Sequence, residues 1–443
     1  MAKLSLPAII GMSVNGVNAF ADALFVGQFI GQDALAAISL AFPLTMVTNG
    51  FSAMIGVGAS SLLSRAIGAE NTEIQRKVFG TVLLLSIMVS IVLSFFGIYY
   101  APELIGFMGG TGEVLEMGVV YYRIMMVGAF FRIYAVAANM LIRADGKVKE
   151  AMNISVFCTV LNMVLNPIFI EYFGWGIAGA AWATIVSMAI FTLLDGWYFY
   201  RGKATYEISM TTFSMEAKLL KPIFAIGVSA MMLQMMFFVQ QVVVFRSLAY
   251  YGDEWDIAFM GACYRVLVLM VIPCFGFAQA LQPVAGINFG AKKYMRVKEA
   301  YRVFTLSGII LLLLCWVLVF IFPNAVLGWM IPDTPFSETD ILNFRLMIAA
   351  TPAFPVFFMG STLFQSIGKG KESGALVVFR EILLFVPAVL LLPFVMGLTG
   401  IYAAGIPTNV IAVILTSMLI IWQFKKWPKE GEVAHRDSEN PKY

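Results

Sequence analysis

The stretch VFGTVLLLSIMVSIVLSFFGIYYA, residues 78–101, decides the class of fold because it contains no charged side chain over 24 residues. At about 1.5 Å per residue, a helix of that length crosses about 30 Å of hydrocarbon. Other apolar stretches repeat the pattern, so the sequence predicts an all-α protein that crosses a membrane twelve times. The predicted spans are 6–30, 35–63, 78–101, 117–142, 150–171, 177–200, 221–248, 257–289, 299–322, 341–367, 374–396 and 401–424.

The basic residues of the loops predict the orientation of these spans. Lysine and arginine occur in alternate loops, at 64–77, 143–149, 201–221, 290–298 and 368–373, whereas the intervening loops carry none. Basic loops remain on the cytoplasmic side of a membrane. With Lys3 near the start and Lys425 and Lys426 near the end, both termini are predicted to be cytoplasmic.

Composition narrows the range of functions. The chain is 60% hydrophobic and 12% charged, with a mean hydropathy of +0.86, which is typical of a membrane protein. Its net charge of +3 is accounted for by the basic loops, so no nucleic-acid partner is indicated. There is no Walker A string, and the four cysteines lie inside predicted helices at no metal-binding spacing. We therefore expect neither an enzyme nor a cofactor.

An internal duplication is visible in the sequence. Gly146-Lys147-Val148-Lys149-Glu150 recurs as Gly368-Lys369-Gly370-Lys371-Glu372, and Gly68-Ala69 recurs as Gly290-Ala291 at the same offset. Two repeats of six spans enter the membrane in the same sense, which predicts two pseudo-symmetric lobes with a cavity between them. We predict an N-terminal lobe at 1–200, a cytoplasmic linker at 201–220, a C-terminal lobe at 221–424 and a polar cytoplasmic tail at 425–443.

Ionisable and polar groups inside the spans are the candidate functional residues, because they are costly in hydrocarbon. Asn15, Asn18 and Asp22 share one face of span one, a helical turn apart. Asp22 either holds and releases a proton or hard cation, or is a static hydrogen-bonding group. Asn162 and Asn166 share a face of span five, and with Asp22 and Thr184 of span six they predict an oxygen-rich ion-coupling pocket, with sodium as a possible ligand.

The remaining polar residues of the spans have less specific interpretations. Arg132, near the middle of span four, is expected to pair with an acid such as Asp22 or to face a wet cavity that binds substrate. Gln234 of span seven, beside several methionines, is a candidate for the same substrate cavity, and so are Asn15 and Asn18 of span one. Glu381 is expected to pair with the adjacent Arg380, and Asp195 to reach the headgroup region. No ion site is evident in the C-terminal half.

Five stretches of the chain carry a resemblance to a known family. They are LSLPAIIGMSVNGVNAFADALFVGQFIGQDALAAISLAFP at the start, SSLLSRAIGAEN, LIRADGKVKEAMNI, LNMVLNPIFIEYFGWGIAGAAWATI and YRVLVLMVIPCFGFAQALQPVAGINFGAKKYMRVKEA. In this order they resemble the multidrug and toxin extrusion (MATE) transporter family, and the resemblance covers nearly the whole chain. It implies twelve helices in two lobes and antiport of mostly cationic, amphipathic compounds out of the cell, in exchange for protons or sodium.

The resemblance also assigns residues. By motif, the family's span-one aspartate falls on Asp22, its span-five asparagine on Asn162 and its span-six threonine on Thr184. The lack of acids within spans seven and ten resembles the DinF branch. One departure is Leu165-Asn166-Pro167, where the family often has Leu-Asp-Pro; the missing carboxylate favours proton over sodium coupling.

Two alternative functions remain open from the sequence: a flippase of lipid-linked saccharides from the same superfamily, and a membrane scaffold that transports nothing. The partners predicted for a transporter are organic cations and the lipid bilayer. We expect a monomer in the cell membrane, of bacterial type.

Overall fold

The computed structural model describes residues 11–14, 18, 21–22, 25–206, 215–331 and 335–428. Over these ranges the chain is helical, and no β-strand occurs in them. We number the long helices by predicted span. They are α1 (described residues of 11–29), α2 (Gln32–Gly68), α3 (Thr72–Tyr99), α4 (Gly112–Val127 with Ala129–Ala144), α5 (Val148–Tyr172), α6 (Gly176–Tyr200), α7 (Ala217–Tyr251), α8 (Glu254–Gly290), α9 (Tyr294–Ile321), α10 (Glu338–Ser366), α11 (Gly370–Met396) and α12 (Thr399–Lys425).

Nearly all of these helices are long and apolar enough to span a membrane. Ten qualify within the described ranges, and α4 makes eleven when its two halves, bent by 52°, count as one span. With α1, of which only part is described, they correspond to the twelve spans predicted from the sequence. The linker residues 207–214 and the tail residues 429–443 lie outside the described ranges.

The duplication extends to the irregular features of the fold. A short helix, Ala101–Phe107, links α3 to α4, and its counterpart Pro323–Met330 links α9 to α10 at the repeat offset. The bend in α4 at Gly128 is matched by the 3₁₀ turn Thr351–Ala353 within α10. Both α5 and α11 also contain a π-helical segment, but at different positions: Ile168–Tyr172 corresponds to 390–394 at the repeat offset, whereas the segment in α11 is Phe379–Phe385. The short helix and the break in the fourth span are therefore common to both lobes, and the π-helical segments are specific to each.

The bend in α4 has a packing cause. A β-carbon added at Gly128 would lie 2.4 Å from a side-chain carbon of Ile185 in α6, so only glycine allows the two helices to approach so closely. Glycine is also a common site of helix kinks. The bend redirects the second half of α4, which carries Arg132, Asn139 and Arg143.

The apolar cores show how the two lobes meet. On the side away from the basic loops, two clusters use only residues between 25 and 181, and a third uses only residues between 244 and 404. In the half nearer the basic loops, each large cluster contains residues of both lobes, as when Leu219 and Ile223 of α7 pack against α2 and α4. The lobes are thus joined at the basic-loop end and have separate cores at the other end.

Part of the junction is a close crossing of α2 and α8 that obeys the repeat symmetry; α2 also crosses α7 closely, at Gly58 and Gly227. A β-carbon added at Gly68 would lie 1.9 Å from the carbonyl oxygen of Ile287, and one added at Gly290 would lie 2.1 Å from that of Arg65. Gln282 donates a hydrogen bond of 2.7 Å to Ser60, and the two residues are 222 positions apart. Small residues at such crossings allow helix backbones to approach closely in a membrane.

This crossing yields a testable expectation. Gly290→Ala should lower the free energy of unfolding by about 1–3 kcal/mol, because the added methyl group would overlap the backbone carbonyl of Arg65, which can move only together with its helix. The unfolding temperature in detergent, followed by tryptophan fluorescence, measures the effect.

Gly261→Ala is the matched control in the same helix, since a β-carbon there would have no neighbour within 4 Å. Alanine is the better helix former, so this variant should be at least as stable as the wild type. Equal stability of the two variants would contradict the proposed close crossing.

Candidate ion-coupling site and central cavity

The predicted polar residues of α1 and α5 form one hydrogen-bonded cluster around Asp22. Asn166 donates to Oδ1 of Asp22 at 2.5 Å, and Asn18 donates to Oδ2 at 3.2 Å. Asn18 also donates to Asn162 at 3.1 Å. Asn162 and Asn166 are buried, so the carboxylate is held by amides inside the N-terminal lobe. The spacing of four residues on each helix brings these groups together.

Two polar atoms of the cluster have no hydrogen-bond partner among the described residues. They are Oδ1 of Asn18 and Nδ2 of Asn162, and both are buried. The nitrogen and oxygen of an asparagine amide are assigned from its hydrogen bonds, so an exchange of the two is a real alternative arrangement. One acceptor and one donor of the cluster are therefore available to form new hydrogen bonds when Asp22 changes its protonation state.

One predicted member, Thr184, stands outside this cluster. Thr184 donates at 3.2 Å to the carbonyl of Ala180 in its own helix, so its hydroxyl group is used locally. Asn15, predicted for the substrate cavity, lies outside the described residues. Asn18, predicted for the same cavity, instead links Asp22 to Asn162.

Arg132 bonds to an amide. Its Nη1 donates at 3.2 Å to Asn49 of α2, and in the described part of the chain no carboxylate lies within ion-pair distance of it. Its charge still attracts that of Asp22 across the lobe. Arg132 therefore contributes a positive field at the cluster without neutralising Asp22 by contact.

A cavity of about 310 Å³ lies between the lobes, near the basic-loop end. Gln234 is one of the residues that line it, whereas Arg132 is not. Its apolar wall includes Leu233 and Phe275. The other polar side chains of the lining are Ser60, Arg143, Gln279, Gln282, Thr362 and Gln365.

Asp195 lies in a different environment from the one that its position in the sequence predicts. The expectation that it reaches the headgroups is wrong: the residue is 0% exposed. Asn139 donates to its Oδ1 at 3.4 Å, and its Oδ2 has no partner among the described residues. Its place near the end of α6 suggested an interfacial residue, but α4 and α5 cover it.

The C-terminal lobe contains a buried polar cluster on the helices equivalent to those around Asp22. Arg380 and Glu381 of α11 form an ion pair, as expected, and Gln240 of α7 donates to Glu381. Arg380 also donates to Asn409 of α12 at 3.2 and 2.9 Å. A π-helical segment, Phe379–Phe385, widens the helix here and accommodates two adjacent buried charges. A small cavity of about 60 Å³ adjoins the cluster.

Removal of one partner of the Arg380–Glu381 ion pair should destabilise the protein more than removal of both. Glu381→Gln should destabilise the protein by about 3–5 kcal/mol, because it leaves the Arg380 charge buried without a counter-charge. Thermal unfolding in detergent is the measurement.

The matched control is the double variant Arg380→Met with Glu381→Met, which removes both charges and should cost less than the single change. If the double variant were the less stable of the two, the pair would contribute net stability and the argument would fail.

Comparison with known proteins agrees with this architecture. The MatE family model matches residues 7–168 and 225–390, one segment in each lobe. The multidrug export protein MepA of Staphylococcus aureus is 23% identical over 423 residues, covering 95% of this chain and 93% of its own length. A similar protein of the same name from Staphylococcus saprophyticus is also 23% identical, over 424 residues, with the same coverage.

Solved structures match over almost the full chain. A crystal structure of a MATE protein in complex with MaD3S has a TM-score of 0.90 at 28% identity, covering 96% of this chain and 95% of its own. A MOP superfamily transporter from Pyrococcus furiosus, described by a reverse polarity of its binding pocket, has a TM-score of 0.90 at 27% identity, with coverage of 97% and 96%. Their twelve-helix topology confirms the predicted fold class. The chain therefore belongs to the MatE family and is a multi-pass membrane transporter rather than an enzyme.

Proposed function

We propose that the protein is a secondary antiporter that exports small molecules in exchange for protons, with Asp22 as the proton carrier. The observation that carries this proposal is the carboxylate of Asp22, held within membrane helices by amides of Asn18 and Asn166. An intramembrane carboxylate is retained at a cost, which favours a functional role. The multidrug export relatives favour export of small molecules over flipping of a lipid-linked saccharide.

The arrangement of donors supports a proton rather than sodium as the coupling ion. Sodium needs several oxygen ligands, as hard cations generally do. Here both oxygens of Asp22 accept from amide nitrogens, and Oδ1 of Asn18 is the one unpartnered buried oxygen among the three asparagines and Asp22. Thr184 directs its hydroxyl group to its own helix. A sodium ion bound by both oxygens of Asp22 would have to displace the amide donors of Asn166 and Asn18, whereas a proton on Oδ2 displaces only that of Asn18.

The mechanism uses the same hydrogen bonds. When Asp22 takes up a proton on Oδ2, it becomes a donor, and Asn18 must turn its amide oxygen towards it. Oδ1 of Asn18 is available for this bond. The amide nitrogen of Asn18 then turns away from Asn162, which alters the contact between α1 and α5. Protonation is thereby linked to the packing of α1 within the N-terminal lobe.

Transport then follows from alternating access. The lobes are closed at the basic-loop end, and we propose that the repacking of α1 loosens this closure so that the cavity opens to the cytoplasm. For a neutral substrate, one proton moving through about 100 mV supplies about 2.3 kcal/mol, sufficient for roughly fifty-fold accumulation. Exchange of one proton for one monovalent cation moves no net charge and is driven by the pH difference alone. The exported compounds are amphipathic small molecules, organic cations among them, as the resemblance to the family implies.

The oligomeric state, the membrane, the orientation and the branch of the family are proposed from the same structure and relatives. Both lobes of one chain enclose the cavity, which supports a monomer, and the curated relatives come from bacteria, which supports a bacterial cell membrane. The basic loops would face the cytoplasm, with both termini inside. The DinF branch is favoured because the acid of the C-terminal cluster, Glu381, is already neutralised by Arg380.

The first test is export of a fluorescent organic cation from proteoliposomes under an imposed proton gradient. Asp22→Asn should reduce the rate at least ten-fold, because the variant keeps a hydrogen-bonding side chain but cannot carry a proton. Asp33→Asn is the matched control, since Asp33 is exposed in the first turn of α2 and should transport as the wild type does. Full gradient-driven export by Asp22→Asn would refute the proposal.

A second test restores the carboxylate that the family often has. Asn166→Asp places a second negative charge beside Asp22, which should offset the desolvation of a bound cation. We expect sodium-driven export to rise several-fold over the wild type in the same liposomes. No response to sodium in a folded Asn166→Asp variant would show that the loss of this charge does not determine the coupling ion.

A further inference from the structure

Arg143 is a buried cation in the wall of the central cavity. The residue is only 7% exposed, and it lies in the last turn of α4. It lines the cavity, yet no hydrogen bond or ion pair joins its guanidinium group to any described residue. A guanidinium group has five N–H donors. A buried charge without such partners is costly, so this arrangement favours a ligand that supplies them.

The one acid whose charge reaches Arg143 does not neutralise it by contact. Asp195 is fully buried behind α4 and receives its hydrogen bond from Asn139, one helical turn before Arg143. The second oxygen of Asp195 has no partner among the described residues, which includes Arg143. The two charges attract at a distance, but the N–H groups of Arg143 remain available on the cavity side.

The rest of the cavity lining also favours an anionic ligand. No aspartate or glutamate lines the cavity within the described ranges, and four glutamines do. Gln279 has a buried amide oxygen without a partner, so the wall offers hydrogen-bonding groups as well as charge. The apolar surface of Leu233, Phe275 and their neighbours suits a hydrophobic body. At about 310 Å³, the cavity is large enough for a small organic molecule.

The repeat symmetry shows that the charge belongs to one lobe only. The residue equivalent to Arg143 at the repeat offset is Gln365, which lines the opposite wall of the same cavity. A ligand would therefore contact a cation on one lobe and an amide on the other. Such contacts across both lobes are what a transporter needs if binding is to depend on how the lobes are arranged.

From these observations we propose that the central cavity is a binding site for amphipathic organic anions, with Arg143 as the residue that binds the carboxylate or other anionic group. The site is distinct from the Asp22 cluster, and it widens the substrate range of the proposed exporter beyond organic cations. Export of the anion depends on the proposed transport function, whereas its binding to the cavity does not. Binding itself needs no gradient and can be measured alone.

The test is binding of two ligands that share one apolar body, naphthaleneacetate and its neutral amide, naphthaleneacetamide. Radiolabelled ligands are equilibrated by dialysis with the purified full-length protein in phosphatidylcholine nanodiscs, and empty nanodiscs give the background. We expect the wild type to bind the carboxylate at least ten-fold more tightly than the amide, since a charge-assisted contact with Arg143 is made only by the former.

Variants assign the effect to Arg143. Arg143→Gln should abolish the preference for the carboxylate and leave amide binding within about two-fold, whereas Arg143→Lys should keep part of the preference. Arg296→Gln, which removes an exposed arginine at the start of α9, should bind both ligands as the wild type does.

Two outcomes would overturn the proposal. One is a wild type that binds the amide as tightly as the carboxylate, a result that does not depend on the folding of any variant. The other is a preference that survives in Arg143→Gln. Neither outcome bears on proton-driven export through Asp22, so failure of this proposal and failure of the antiport proposal are distinguishable.

Discussion

The close crossing of α2 with α7 and α8 of the other lobe is the contact on which the rest of the architecture depends. Gly58 of α2 packs on the backbone of Ile223 in α7, and Gly227 of α7 packs on that of Met54 in α2. Gly68 packs on the backbone of Ile287 and Gly290 on that of Arg65, so each lobe makes the same contact with the other about the repeat axis. Small residues at the crossing allow the helix backbones to pack closely. In a lipid environment such helix contacts depend on van der Waals packing and hydrogen bonds. The crossing lies at the end where the two large apolar clusters contain residues of both lobes, so it and they hold the lobes together there.

Away from this junction each lobe has a core of its own, and the polar groups are arranged differently in the two lobes. The first and fifth helices of the N-terminal lobe surround one uncompensated carboxylate, Asp22, with neutral amides. The first, fifth and sixth helices of the C-terminal lobe surround a neutralised pair, Arg380 with Glu381. Of these two equivalent clusters, only the one in the N-terminal lobe contains a carboxylate without a counter-charge in contact with it. In the proposed mechanism the C-terminal lobe is a rigid body against which the N-terminal lobe changes its packing.

The fold was largely predictable because membrane spans follow from length and composition alone. The repeat at 222 residues also predicted the two lobes. It did not predict the bend at Gly128 or the π-helical segments, because these depend on which residue of a neighbouring helix packs against them, as Ile185 does. Helix periodicity places side chains on a common face but does not identify the facing helix.

The same limit applies to the candidate site. Asp22, Asn18, Asn162 and Asn166 were predictable because their spacing on two helices put them on common faces. Asp195 and Arg143 were not, since each lies near a helix end where a charge normally reaches water or headgroups. Only the tertiary packing shows that both are buried. One signal in the sequence pointed to them: Asn139 and Arg143 are four residues apart and share a face of α4, which is a polar stripe within a membrane span.

In the proposed antiport, proton movement through Asp22 and substrate movement are obligatorily coupled. The most direct measurement is proton flux driven by substrate alone, in proteoliposomes that contain a pH-sensitive dye and have no initial pH gradient or membrane potential. By reciprocity, an outward gradient of an exported cation should drive protons inwards, and the interior should acidify in the wild type but not in Asp22→Asn. Substrate efflux without acidification in the wild type, or acidification that persists in Asp22→Asn, would contradict the account.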